Sequence, residues 1–382
     1  MKISNCIPSI NSKELDYLKE CIKSKWLSST GPLVREFENK ISKFTGSKYA
    51  VALSSGTSAL QLAIKVLNPN YGDEVLMPSL SFIATANSII YNNCSPVFFD
   101  VDKNFNIDLF KLEKFLNEQT YFKNGNKFNK KTKKKIIAVI AVAVWGGSTD
   151  LYKLKNLLHK RNIVLIEDAA EAFGSFLVKK NKKKHLGTFG LVGCLSFNLN
   201  KIITTGGGGA IITNNKSVAK KIKYLSLQAK DNSERWIHND IGYNFGLSNM
   251  HAAVGISQIK KIYNFLKNKK KIYHKYHLEI KKHKNFEMLS YPNNVDPNYW
   301  MNILIIKNKK VDAQFLLRKF KKKGIEAKHV WLPCHKQKMF KNYQKFKINR
   351  VNKLHKFSLL MPSSSNLELK NIRKILKILN TY

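Results

Sequence analysis

In Tyr49-Ala-Val-Ala-Leu53-Ser-Ser-Gly-Thr-Ser58, a short strand-forming run passes directly into small hydroxyl and glycine residues, and a helical apolar pattern continues through Leu67. Strand, small-residue turn and helix in that order make half of a β–α unit. Backbone N–H groups at such a helix start form an anion site suited to phosphate, although Gly56 and Thr57 on their own also fit a plain strand-to-helix turn. Further along, the same alternation recurs. Residues 74–77 precede a helix near 84–91, strands follow over 96–101 and 136–144, and a helix over 151–160 leads to a strand over 163–166. On the N-terminal side, a helix over residues 12–25 gives way to the loop Trp26-Leu-Ser-Ser-Thr-Gly-Pro32, and an amphipathic helix over 33–45 stops at Gly46. This pattern predicts an α/β fold with a mostly parallel sheet covered on both faces.

Residues 191–213 read as two more strands flanking Ser196-Phe-Asn-Leu-Asn-Lys-Ile-Ile-Thr-Thr-Gly-Gly-Gly-Gly209. Lys201 thus lies between an apolar strand and a four-glycine run, a setting unlike that of most of the 67 lysines and arginines. A lysine attacks an aldehyde as a Schiff-base nucleophile when its surroundings disfavour the ammonium. Upstream, the apolar strand ends in Ile-Val-Leu-Ile-Glu-Asp168, and an aspartate at a strand end is able to pair with a protonated ring nitrogen. Alone, Asp168 reads better as a helix N-cap after a strand. Together the two residues supply both anchor points of pyridoxal 5′-phosphate. The glycines 206–209 lack the spacing of a nucleotide loop and instead allow close backbone approach.

From about Met250 the texture changes to a lysine-rich helix over 252–280, strands at 299–306 and near 327–331, and an amphipathic helix over 312–323. We therefore expect a large domain over residues 1–249 and a smaller α+β domain over 250–382, with the N-terminal helix packing on the latter. A chain of 382 residues is long enough for two cores. The net charge of +42 invites a nucleic-acid reading, but the lysines are spread over the whole chain. The densest run, 123–135, reads as a solvated loop without aromatic interleaving. The start shows no secretory pattern and no stretch is apolar enough for a membrane span, so the expected location is cytoplasmic, with no membrane and no nucleic-acid partner. Five scattered cysteines without C-x-x-C spacing indicate neither a disulfide framework nor a metal site.

Several segments, in this order and spacing, resemble the DegT/StrS family of pyridoxal-phosphate-dependent nucleotide-sugar aminotransferases. They are Trp26 to Pro32, Ser54-Ser-Gly-Thr-Ser-Ala-Leu60, Pro78-Ser-Leu-Ser-Phe-Ile-Ala-Thr-Ala-Asn87, Glu167-Asp-Ala-Ala-Glu171, the Lys201 run, Ile241-Gly-Tyr-Asn-Phe245 and Trp331-Leu-Pro-Cys-His335. The resemblance implies the aspartate-aminotransferase-like fold type I. It implies that Lys201 binds the cofactor covalently and shuttles the proton, and that Asp168 keeps the ring nitrogen protonated. It further implies that Gly56, Thr57 and Ser196 hold the phosphate, Phe82 covers the cofactor face and Glu171 approaches its phenolic oxygen. Asn244 would reach the cofactor phosphate of a neighbouring subunit, which implies a homodimer with shared sites. Trp26, Ser28 and His335 would contact substrate.

The implied reaction moves the amino group of L-glutamate to the 4-keto carbon of a nucleotide-linked deoxysugar for surface glycan synthesis. The Lys201 run, Gln228-Ala-Lys-Asp231 and Trp236 to Asn244 are most similar to the branch acting on UDP-2-acetamido-4-keto-2,6-dideoxyhexoses, with GDP- and dTDP-4-keto sugars as alternatives. Ala143, Gly147, Ser148, Lys328 and His329 depart from the family pattern. The dehydratases of this fold carry histidine in place of the lysine, so Lys201 argues against dehydration. A non-catalytic basic nucleic-acid-binding regulator is the more remote alternative.

Overall fold

The computed structural model describes residues 2–232, 234–308 and 310–382. Its central sheet has eight strands in the order Tyr49–Leu53, Gly209–Thr213, Val192–Ser196, Val164–Asp168, Ile136–Val142, Glu74–Pro78, Ser95–Phe99 and Lys345–Phe346. Gly209–Thr213 runs antiparallel to both neighbours, and the remaining pairings are parallel. Ile136–Val142, Glu74–Pro78 and Val192–Ser196 are buried at every position, as a sheet covered on both faces requires. The expected mostly parallel α/β architecture is what the chain adopts.

A second sheet, wholly antiparallel, is ordered Phe286–Met288, Asn302–Ile306, Ser358–Met361, Lys328–His329. The helices Ala313–Lys322 and Leu369–Leu379 turn Leu316, Phe320, Ile372, Ile375 and Leu379 into a separate apolar cluster beside it. The two cores are stitched together from both ends of the chain. Near the start, Ile3 bridges to Ile325, and Lys13–Ser24 packs on Asn249–Lys260, where buried Glu14 accepts from Gln258 at 2.7 Å. Late in the chain, Lys345–Phe346 completes the large sheet.

Two local expectations are corrected. The helix expected over 252–280 is two helices, Asn249–Lys260 and Ile262–Ile280, broken at Lys261 with φ −101° and ψ 0°. The break lets the second helix bury Ile262 and Phe265 in the large core and Tyr276 and Ile280 in the small one. The run 123–135 is no plain loop. It begins in the hairpin Thr120–Lys123 and Asn126–Asn129, with Tyr121 and Phe128 stacked at 5.7 Å and the Lys127 ammonium 4.1 Å from the Phe122 ring centre. Its aromatic faces are thus occupied by one another and by the lysines.

Candidate active site

The C-terminal ends of parallel strands are where open α/β sheets bind ligands, because the connecting loops diverge there. Leu53, Asp168 and Ser196 all end strands, and beyond them opens a cleft of about 400 Å³. Gly56, Thr57, Phe82, Asp168, Glu171, Ser196 and Lys201 line it together. Seven residues chosen from distant parts of the sequence therefore meet in one place.

The helix Gly56–Lys65 starts at the cleft with a reciprocal capping box. Ser55 Oγ accepts from the Ser58 N–H and Ser58 Oγ accepts from the Ser55 N–H, each at 3.0 Å. The first N–H groups of a helix have no intrahelical acceptor, and those of Gly56 and Thr57 make no hydrogen bond among the described residues. They form the ready anion cradle that the sequence indicates. A Cβ at Gly56 would lie 2.9 Å from Ser196 Cβ, and one at Gly209 only 2.5 Å from the Ser55 backbone, so both glycines are required for the Lys201 run to close against this helix.

Asp168 lies on the cleft floor, 5% exposed. One oxygen accepts from Thr85 Oγ1 at 2.5 Å and the other from the Ala170 N–H at 3.2 Å. Ser81 lies 2.5 Å from Thr85 Oγ1 and donates to it, since the Thr85 proton is spent on Asp168. Burial pushes the Asp168 carboxyl above its usual range, against the pull of these bonds and of Lys201. A buried carboxylate with two donors and, among the described residues, no cation within ion-pair distance is stabilised by any cation that enters beside it. The neighbouring Glu167, on the opposite face as strand alternation dictates, instead binds the N–H groups of Gly187, Phe189 and Gly190 at 2.6–2.7 Å.

Lys201 closes the other side. Its turn is set by the Lys201 N–H donating to the Asn198 carbonyl at 2.9 Å and by pairing of Phe197 with Gly208 and Thr205. The Nζ lies 3.3 Å from Glu171 Oε1 and 3.9 Å from the centre of the Trp300 ring. Burial lifts the Glu171 carboxyl to about 7, while Lys201 and the Trp145 N–H at 2.9 Å oppose the rise. Trp145 holds a left-handed backbone at φ 51° to aim that N–H. Near neutrality Glu171 is therefore a carboxyl able to carry a proton beside Lys201.

The other candidates lie elsewhere. His335 is 8% exposed and bonds through Nδ1 to Ser79 Oγ. Burial lowers its pKa to about 4, which makes it a neutral brace between the loops after Pro78 and Pro333 rather than a lining group of the cleft. Trp26 is half exposed and lines a separate shallow recess with Thr30, Pro32 and Arg35. Ser28 bonds Thr30 at 3.1 Å. This loop is latched by buried Asn249, whose side chain joins the Trp26 carbonyl at 2.8 Å and the Leu33 N–H at 2.9 Å. Asn244 is exposed, its backbone bridging Leu227, and its side chain makes no hydrogen bond among the described residues. Sequence reasoning missed Thr85 and Trp300. Thr85 sits one helical turn past Ser81 within a quoted motif, a signal available but unused. Trp300 carries no local signal, since its partner is 99 residues away in sequence.

Among the described residues, no cluster suited to a metal ion and no helix long and apolar enough to cross a membrane is present. The fit of the cleft to pyridoxal phosphate rests on its chemistry: an anion cradle at one end, a buried carboxylate short of a cation on the floor, and a lysine on the wall.

Comparison with known proteins agrees with this geometry. The model of the DegT/DnrJ/EryC1/StrS aminotransferase family matches residues 8–380. The GDP-perosamine synthase of Escherichia coli O157:H7 is 32% identical over 342 residues, covering 89% of this chain and 88% of that protein. The UDP-4-amino-4,6-dideoxy-N-acetyl-beta-L-altrosamine transaminase of Campylobacter jejuni serotype O:23/36 is 33% identical over 284 residues, covering 74% and 70%. The solved structure of Helicobacter pylori PseC, an aminotransferase involved in the biosynthesis of pseudoaminic acid, superposes with a TM-score of 0.90 at 24% identity. It covers 100% of this chain and 99% of that one. The chain belongs to the DegT/DnrJ/EryC1/StrS aminotransferase family, whose members are pyridoxal-phosphate-dependent sugar aminotransferases.

Proposed function

We propose, from that membership, that this enzyme transfers the amino group of L-glutamate to the 4-keto carbon of a nucleotide-linked deoxysugar, with UDP-2-acetamido-2,6-dideoxy-4-keto-hexose as the first candidate. The observation that carries the reading is the juxtaposition of Lys201 and Asp168 across one cleft whose far end is an open helix N-terminus. Pyridoxal phosphate supplies the electron sink for the carbanion. The protein's residues do the rest. Gly56 and Thr57 N–H groups and the Ser196 hydroxyl hold the phosphate. Asp168, oriented by Thr85, keeps the ring nitrogen protonated. Phe82, at the cleft mouth and 6.0 Å from the Trp331 ring, covers one face. Glu171, whose buried carboxyl is able to carry a proton near neutrality, would donate it to the phenolic oxygen, and Lys201 moves the proton to and from the substrate carbon as general base and acid.

The relatives' names include both a UDP-linked and a GDP-linked sugar, so GDP- and dTDP-4-keto sugars are the alternatives. A homodimer with shared sites is supported by Asn244, whose side chain is exposed, makes no hydrogen bond among the described residues and does not line its own cleft. The first experiment is the visible absorption spectrum of the cofactor-loaded protein with L-glutamate. Loss of the band of the lysine-bound cofactor is expected, and its return with a UDP-4-keto sugar but not with GDP or dTDP counterparts identifies the acceptor. A band indifferent to glutamate overturns the donor. For the dimer, chains carrying Lys201→Ala and Asn244→Ala should regain activity when mixed, because one site of the hybrid is then intact. No gain would place Asn244 in its own chain's site.

A further inference from the structure

Lys269 is a buried ammonium that the mechanism does not use. Lys269, in the middle of Ile262–Ile280, is 3% exposed, and among the described residues no carboxylate lies within ion-pair distance of it. Burying an unpaired ammonium is costly, and a methionine of similar length would pack there without that cost. Burial accordingly pulls the Lys269 pKa below the usual lysine range. What the side chain gains is three acceptors from three remote segments: the Trp300 carbonyl at 2.9 Å, the Ser363 carbonyl, and Cys6 Sγ at 3.7 Å.

Two of those three partners converge again. Trp300 Nε1 donates to the Asn200 carbonyl at 2.5 Å, and Cys6 Sγ donates to the same carbonyl at 3.5 Å. Asn200 is the residue before Lys201. The Trp300 backbone is held at its other end too, its N–H donating to Asn298 Oδ1 at 2.9 Å, while Asn298 Nδ2 binds the Glu171 carbonyl at 2.8 Å. The indole face then lies 3.9 Å from Lys201 Nζ. We propose that Lys269 is a positioning residue for the transamination reaction, which fixes Trp300 and Cys6 on the Asn200 carbonyl and so sets where Lys201 stands in the cleft. The role follows from geometry: one ammonium ties the N-terminal arm to the backbone on both sides of the small sheet, and two of its three partners reach on to the turn before Lys201.

The inference rests on Lys201 being the reacting lysine, but its test does not need the sugar reading. In cofactor-stripped protein, Lys201 is labelled with limiting acetic anhydride and quantified by peptide mass spectrometry against the exposed Lys182. Lys269→Met should raise Lys201 labelling roughly three- to tenfold, the range expected when a cation loses an aromatic cover, with Lys182 unchanged. Trp300→Leu should do the same, and the double variant should show no further rise, because both act through one contact. Lys269→Gln, which retains amide donors, should fall between parent and methionine and serves where Lys269→Met does not fold. In the loaded enzyme the same variants should lower kcat with the KM for glutamate unchanged. Unchanged Lys201 labelling in folded Lys269→Met or Lys269→Gln overturns the proposal. Altered labelling, with no sugar amination even by the parent, would sink the acceptor reading and leave this inference standing.

Discussion

The two ends of the cleft are built by different means. At the cradle end, Gly56 and Thr57 act through backbone N–H groups whose direction is set by a capping box over the four residues Ser55 to Ser58. At the opposite wall, Lys201 is met by Glu171 and Trp300 and shares the cleft with Trp331, and these three arrive from a loop beyond one strand, the lead-in to the small sheet and the loop after its strand Lys328–His329. The cradle is local and tolerates little change in backbone. The wall is assembled from side chains that only the packing of two cores brings together. Binding of the cofactor phosphate should therefore depend on short-range structure, and handling of the substrate on long-range structure.

The largest effect is expected where the two ends meet. Lys201→Ala should lower transamination with glutamate and a 4-keto sugar by about 10³–10⁴-fold with an unchanged circular dichroism spectrum. Retained turnover would remove Lys201 from the chemistry.

On the wall, Glu171→Gln tests the buried carboxyl. Because burial raises its folded pKa to about 7 from 4.5, the folded state holds the proton more tightly than the unfolded state. Stability from this group is complete below about 4.5 and falls as pH rises toward 7. Urea unfolding of cofactor-stripped protein should show the variant gaining on the parent between pH 5 and pH 8, by roughly 3 kcal/mol at most. A gain independent of pH would mean that the carboxyl is ionised throughout.

Trp331→Leu separates the two ends directly. Its ring lies 5.6 Å from Trp145 and 6.0 Å from Phe82, and its loss should raise the KM for the sugar about tenfold while leaving cofactor affinity unchanged. Equal losses of both would erase the distinction drawn here.

The smallest effect belongs to the cradle's cap. Ser55→Ala removes one bond of the capping box and should cost about 1 kcal/mol of stability, with cofactor affinity weakened and the KM for the sugar unchanged. Thermal unfolding and cofactor titration report the two parts, and unaltered affinity would show that the cap does not orient the cradle.

The same division governs what was legible in advance. Asp168, Ser196, Gly56 and Lys201 were readable because strand ends, turn glycines and helix starts announce themselves within a few residues. The helix break at Lys261 was not, since the apolar pattern runs through it and only the handover between two cores demands it. The burial of His335 was not legible for a related reason: a histidine after a Trp-Leu-Pro-Cys turn reads as open to a ligand, whereas its burial against Ser79 depends on a loop 256 residues away.

By itself the sequence determined the parallel α/β architecture, the family and Lys201 and Asp168 as the candidate pair that the fold brings to one cleft, because alternation of apolar runs and turn chemistry are short-range properties of the chain. Only the tertiary structure decided how Lys201 is held, by Glu171 on one side, Trp300 on another and Lys269 behind. Desolvation, cation–π contact and shared hydrogen bonds depend on which distant residues the sheet order brings within a few ångströms, and that order is a property of the folded whole.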